Sequence, residues 1–191
     1  QTEAAIAAAE TALHEAEADR EAIAADLGAI DAGLAEARAA LAALDGEAAT
    51  LERALAAART DEDRILDRLR VTPGHEAALA AALGDDLDAG TDRDSARSWG
   101  GADADKNDPA LPAGTQPLAA FVQAPPALAR RLAQIAVADR DTGQPLAVGQ
   151  RLVTLDGVMR RWDGFVTRGD GATATERLQR QNRLDALAAQ R

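Results

Sequence analysis

The sequence contains no cysteine. That excludes disulfides, thiolate metal sites and cysteine catalysis, and it is consistent with a cytoplasmic protein. Aromatic residues make up only 2%. They are Trp99, Phe121, Trp162 and Phe165, so the first 98 residues have no ring with which to build a core. Histidine occurs only at His14 and His75, too far apart to suggest a zinc site or a catalytic triad. No GxxxxGK[ST], GxGxxG, HExxH or GxSxG is present. No apolar run approaches the ~20 residues needed to span a bilayer, and the start is not signal-like. No catalytic residue, cofactor site or metal site is expected. The first residue is Gln1, not methionine, which reads as a piece of a longer chain.

What is present is alanine, leucine and charge. Hydrophobic residues are 47% of the 191, mostly Ala and Leu. The net charge of −11 is unevenly spread: residues 1–117 hold 10 Lys/Arg against 25 Asp/Glu, and residues 118–191 hold 11 Arg against 7 Asp/Glu. The second part can therefore present a local basic face. With Ile6 at heptad position a, Leu13, Leu27, Leu34, Leu41 and Leu55 follow at a, and Ile23, Ile30, Leu44 and Leu51 fall at d. Alanines fill the other seam positions except Arg20. Eight heptads in phase predict a coiled-coil helix over 1–69, running on through Ile65 and Leu69 and roughly 100 Å long. Gly28, Gly33 and Gly46 lie off the seam. A helical bundle is the competing reading, but only 173–191 offers a second helix, and it is far shorter.

Residues 70–172 read as a small α+β block. Pro73-Gly74 breaks the helix. A short helix follows from His75 to a glycine cap at Gly84. His75 reads as a surface or helix-start residue. The Asp-, Gly-, Ser- and Pro-rich stretch 88–116 reads as a long, partly disordered loop that Trp99 and Leu111 pin to the core. Asp103-x-Asp105-x-Asn107 resembles the start of a calcium loop. Asp108 and Gly114 stand where that loop needs glycine and glutamate, so a solvated acidic loop is the better reading. Strands are predicted over 118–122, 135–138 and 151–155, with a short helix over 127–134 after Pro125-Pro126. Asp156-Gly157 and Asp163-Gly164 read as turns on either side of a further strand, 158–162. A paired-carboxylate reading of Asp156 and Asp163 is the weaker one, since both precede glycine in turns. Such a block leaves strand edges that need covering or pairing.

Val71-x-Pro73-Gly74-x-Glu76-x-Ala78-Leu79-x-x-Ala82-Leu83-Gly84-Asp85 resembles the start of the hinge domain of structural maintenance of chromosomes (SMC) proteins. Arg151-Leu152-Val153-Thr154-Leu155-Asp156-Gly157 resembles that hinge's near-terminal strand and turn. Phe121-Val122 and Ile135 to Asp139 stand where the family has paired strands, and the flanking heptads match its two antiparallel arms. The alanine- and arginine-rich style fits a bacterial source.

The resemblance implies an ascending arm over 1–69, a shortened hinge over 70–172 and the start of a returning arm over 173–191. It implies a homodimerisation module, not an enzyme. The parent would be a condensin-type chromosome-organising ATPase, cytoplasmic and nucleoid-associated. Its ATP-binding heads and its kleisin and accessory contacts would lie outside this stretch, and no membrane is involved. Gly157, Trp162, Gly164 and Phe165 are the expected dimer-interface residues, with a core role the first reading for Trp162. The glycine-rich run of the family is only partly matched here, by Gly164 and, less closely, by Gly169 and Gly171. Arg151, Arg160, Arg161 and Arg168 are candidate DNA contacts, because arginines neutralising phosphates give sequence-independent binding. The rival reading is a coiled-coil scaffold protein whose globular insert binds another protein.

Overall fold

The computed structural model describes residues 2–57, 64–169 and 172–190. The described residues fall into two units, one within 2–49 and one within 50–190. Helix α1 spans Thr2–Ala57, 56 residues or about 84 Å at 1.5 Å per residue. In the first unit the seam residues Ile6, Leu13, Ile23, Leu27, Ile30, Leu34 and Leu41 are all exposed.

The expected run of this helix through Ile65 and Leu69 is not observed. Residues 58–63 of that stretch lie outside the described residues. Ile65–Arg68 is a 3-10 turn flanked by extended Arg64 and Leu69. Ile65, Leu66 and Leu69 are buried in the core of the second unit, and the Ile65 amide donates to the Ala89 carbonyl at 2.8 Å. Tertiary burial overrides the heptad phase here.

The second unit is a mixed α+β domain. Strand β1 is Arg70–Val71 and helix α2 is Glu76–Leu83. Strands β2 to β7 are Gln116–Pro117, Val122–Gln123, Ile135–Ala138, Arg151–Thr154, Val158–Arg161 and Val166–Arg168. Helices α3, Ala129–Ala133, and α4, Ala172–Gln190, complete it. The main sheet has the order β2-β4-β5-β6-β7, parallel only between β4 and β5; β1 and β3 form a separate antiparallel pair. Val122 thus pairs with β1, not with the 135–138 strand. The strand expected over 118–122 is instead a 3-10 turn, Leu118–Ala120, between β2 and β3. Pro117 holds φ at −68°, and fully buried Leu118 pulls the turn into the core.

The core lies on one face of the sheet, where Val153 and Met159 meet Ala78, Leu79 and Ala82 of α2 and Leu178 of α4. The other face carries Ala136, Ala138 and Leu152 under Leu111 and Leu146. Trp99 packs on the main core and its Nε1 donates to the Asp86 carbonyl at 3.0 Å, so the 88–116 loop is pinned where expected. His75 precedes α2 and stacks on Phe121 at 4.0 Å. Within the loop, the Asp105 carboxylate accepts from Asn107, and Asp108 accepts from the Asp105 amide and from Arg130 Nε.

Candidate dimerisation surface and basic cleft

Strands β5, β6 and β7 form a meander joined by the two Asp-Gly turns. Its residues alternate between faces, as a pleated strand requires. Arg151, Val153, Met159, Arg161 and Thr167 face α2; Leu152, Arg160, Val166 and Arg168 face away, in the register Leu152↔Arg160 and Arg160↔Val166. Just past β6, in the Asp163-Gly164 turn, Trp162 is 47% exposed, and Phe165 after it is 49% exposed. Two half-exposed large apolar side chains within one short turn are uncommon on a small domain. A core role for Trp162 is therefore not what the fold gives it. The turn is stiffened by Asp163, which accepts from Arg161 and from the Phe165 amide. The Arg161 guanidinium lies 4.8 Å from the Phe165 ring centre. Gly164, φ +88°, is exposed in this turn.

Gly157 is placed differently. It is buried in the β5–β6 turn, with its α-carbon face against Ala77 of α2 in the same protomer. Asp156, at that same turn, accepts from the Thr154 hydroxyl. Asp156 and Asp163 sit at opposite ends of β6, each occupied by its own turn.

The arginines separate into two groups. Arg160 is held on the outer face by a two-pronged ion pair to Asp141, at 2.6 and 2.9 Å, and by a bond to the Gln144 carbonyl. Its charge is therefore matched within the protomer, as that of Arg161 is by Asp163, that of Arg177 by Asp67 and that of Arg180 by Glu176; what sets Arg160 apart is its face of the sheet. Arg151, Arg161, Arg177 and Arg180 line a cleft of about 880 Å³ between the meander, the C-terminal end of α2 and the first turns of α4. Arg151 donates to the Ala82 carbonyl at the end of α2, and burial lowers its pKa. Neighbouring Arg131 is pushed down to about 10, first by burial and then by the Arg151 charge. Neither has a carboxylate within ion-pair distance among the described residues. Asp85 and Asp88 also line the cleft, so it is mixed but predominantly basic. Arg168 is exposed on β7, beyond the cleft lining. Sequence reading did not single out the cleft, which sheet register and the docking of α4 create.

Helix α4 is fastened to the domain by polar bonds as well as by Leu178. Arg177 pairs with Asp67, Asn182 Nδ2 donates to Glu76 at 2.6 Å, and Arg70 pairs with Asp185 at 3.3 Å. Glu76 is buried and also accepts from the Gly74 amide at 2.8 Å. The three ties to α4 were not foreseen, because each joins residues over 100 positions apart.

A mixed domain that follows a heptad helix in the chain and holds a second helix by specific bonds has the layout of a globular insert between helical segments. The chain is 41% identical over 185 residues, 94% of its length, to the chromosome partition protein Smc of Rhodopseudomonas palustris. It is 44% identical over 147 residues, 73% of its length, to the chromosome partition protein Smc of Cereibacter sphaeroides. It spans only 16% and 13% of those relatives. Its fold is that of the Geobacillus stearothermophilus SMC hinge domain, crystallised as an asymmetric dimer, with a TM-score of 0.57 at 17% identity over 84% of this chain and 85% of that one. No protein-family model matches. The chain belongs to the bacterial SMC family, and its fold is that of an SMC hinge domain. Among the described residues no helix is long and apolar enough to cross a membrane.

Proposed function

We propose that this chain is the homodimerisation hinge of an SMC-type chromosome-organising ATPase, pairing two copies through the domain, with α1 and α4 belonging to the two coiled-coil arms of the parent protein. The observation that carries this is the exposed Trp162–Phe165 turn at the free end of the sheet. Rings of this size bury ~150–250 Å² each and anchor interfaces. ATP hydrolysis, kleisin contacts and nucleoid association belong, on this reading, to the parent protein.

The test is solution mass by light scattering. The wild-type chain is expected at twice the chain mass. Trp162→Asp with Phe165→Asp should give one chain mass, since anchors of this kind contribute at least ~2 kcal/mol, or about 30-fold in Kd. Leu27→Glu with Leu34→Glu on the α1 seam should leave the dimer intact. The reverse pattern would assign self-association to the seam and favour the scaffold reading.

A second reading, non-specific DNA contact, is favoured by the convergence of Arg151, Arg161, Arg177 and Arg180 on one cleft. Arg161→Gln with Arg180→Gln should weaken binding to labelled duplexes of any sequence and lower the salt slope by about 2. An unchanged slope in fluorescence anisotropy sinks the assignment to this cleft.

A further inference from the structure

We propose that the cleft between the meander, α2 and α4 binds a small diphosphate- or oligophosphate-bearing molecule, held by Arg151 and the Thr167 hydroxyl. This goes beyond both readings above, since the ligand is a small molecule inside the domain.

Sheet register sets two like charges face to face. Arg151 and Arg161 are direct cross-strand partners on β5 and β6, on the face turned toward α2. Like charges so placed destabilise a sheet. The Arg131 guanidinium presses on the same pair: its pKa is lowered first by burial, then by the Arg151 charge and, more weakly, by Arg161. The charges are not equally answered. Arg161 is held by Asp163, and the cleft residues Arg177 and Arg180 pair with Asp67 and Glu176. Arg151 has no carboxylate that close among the described residues. One of its N–H donors goes to the Ala82 carbonyl, and Asp86 and Asp163 act on it only at longer range. A half-buried guanidinium with spare donors and like-charged neighbours is a receptor for an anion.

Thr167, on the same face of β7, gives an independent signal. Its hydroxyl is buried without a hydrogen-bond partner in the protomer, and the residue lines the cleft. A buried hydroxyl left unpaired costs stability, and it can donate to a phosphate oxygen. Ala172, Thr173 and Ala174 bring the first turn of α4 to the same cleft, and that turn carries no acidic side chain to repel an anion.

Spacing selects the ligand. Arg151 and Thr167 stand on strands two places apart in the sheet, roughly 9–10 Å. One carboxylate cannot reach both, whereas linked phosphate groups met by the long arginine side chain can. The volume of about 880 Å³ suits a small molecule. Asp85 and Asp88 also line the cleft and limit the negative charge it accepts, which favours a compact anion over a long polyanion.

The test is calorimetric titration of the full chain with inorganic pyrophosphate at constant ionic strength. The wild type should bind one equivalent per chain. Arg151→Gln should weaken binding at least about tenfold and Thr167→Val about threefold, the losses expected for a charged and a neutral hydrogen bond. Arg168→Gln, on the other face of β7, should change Kd by less than about twofold. ADP binding more tightly than pyrophosphate identifies a nucleotide as the source of the phosphates; ADP binding more weakly identifies a free oligophosphate; either supports the site when it depends on Arg151. Absence of saturable heat in the millimolar range overturns the proposal, and so do equal losses in Arg151→Gln and Arg168→Gln, the mark of diffuse attraction. The wild type decides should a variant not fold: pyrophosphate should slow hydrogen exchange in β5, β7 and the first turn of α4, and unchanged rates there refute the site.

Discussion

Gly157→Ala separates a folding role from an interface role at a residue the sequence places in the dimer contact. Gly157 has φ +84° in the turn between β5 and β6, and its amide donates to the Thr154 carbonyl at 3.0 Å. A residue with a Cβ pays about 1–2 kcal/mol for that conformation. The added methyl would stand 3.5 Å from the Ala77 Cβ and 3.6 Å from the Ala77 carbonyl oxygen, which is ordinary contact and adds no clash. The expected loss is therefore the conformational cost alone, about 1–2 kcal/mol, or ~2–8 °C in Tm for a chain of this size. The turn faces α2 of its own protomer and lies roughly 13 Å, four strand residues, from the aromatic turn. The dimer Kd should therefore stay within about twofold, well below the tenfold that 1.4 kcal/mol would produce. Urea unfolding at fixed protein concentration gives the first quantity and sedimentation equilibrium the second. A tenfold weaker dimer with unchanged stability would refute this placement of Gly157. Gly164→Ala is the companion: φ is +88° with nothing within 4 Å, so the stability cost should match, but there the dimer should weaken as well.

Two other substitutions test the polar framework. Glu76→Ala leaves the Gly74 amide and Asn182 Nδ2 without their acceptor in a buried setting; at ~1–3 kcal/mol for each orphaned group, urea unfolding should show a loss of about 2–5 kcal/mol, and Glu76→Gln should recover part of it. A Glu76→Ala loss below 0.5 kcal/mol, roughly the noise of such measurements, would remove Glu76 as a tie between α2 and α4. The Asp141 carboxyl is held below the usual carboxylate range, chiefly by its hydrogen bonds from Arg160, against the opposing effect of burial. Its folded value lies below its unfolded value near ~4, so its contribution is present above about pH 4 and is lost as pH falls through the folded value. Asp141→Asn should therefore flatten the fall of urea midpoint with acid below pH ~4, and a slope identical to wild type would show that the pair carries no linkage.

Strands β5 and β6 are legible to within a residue because the Asp156-Gly157 and Asp163-Gly164 turns bound them, β4 because it is a short apolar run, and α2 because alanines and leucines run up to Gly84 at φ +54°. Ile65 and Leu69 mislead for a definite reason. They stay in heptad phase, and a phase cannot say whether an apolar side chain meets another helix or the core of a domain. The stretch 116–123 misleads because β2 and β3 are two residues each, shorter than any periodicity can register. The sequence singles out Trp162 and Phe165 as interface candidates, but their exposure depends on where β6 stops, one residue before Trp162. The arginines read as scattered because their fates depend on sheet parity: Arg160 faces Asp141, and Arg161, one residue on, faces the cleft.

The same meander that exposes the aromatic turn also forms, with α2, the ground on which α4 stands. Its Arg177, Asn182 and Asp185 contacts reach Asp67 of the 3-10 turn, Glu76 of α2 and Arg70 of β1, three separate elements. A change in the direction of α4 cannot break one of these bonds and leave the others unstrained, because all three lie along a single rigid helix. Helix α4 is thus positioned by the domain core and not by local helix propensity. Any force carried along α4 reaches α2, and through α2 the β5–β6 sheet whose far end carries Trp162 and Phe165.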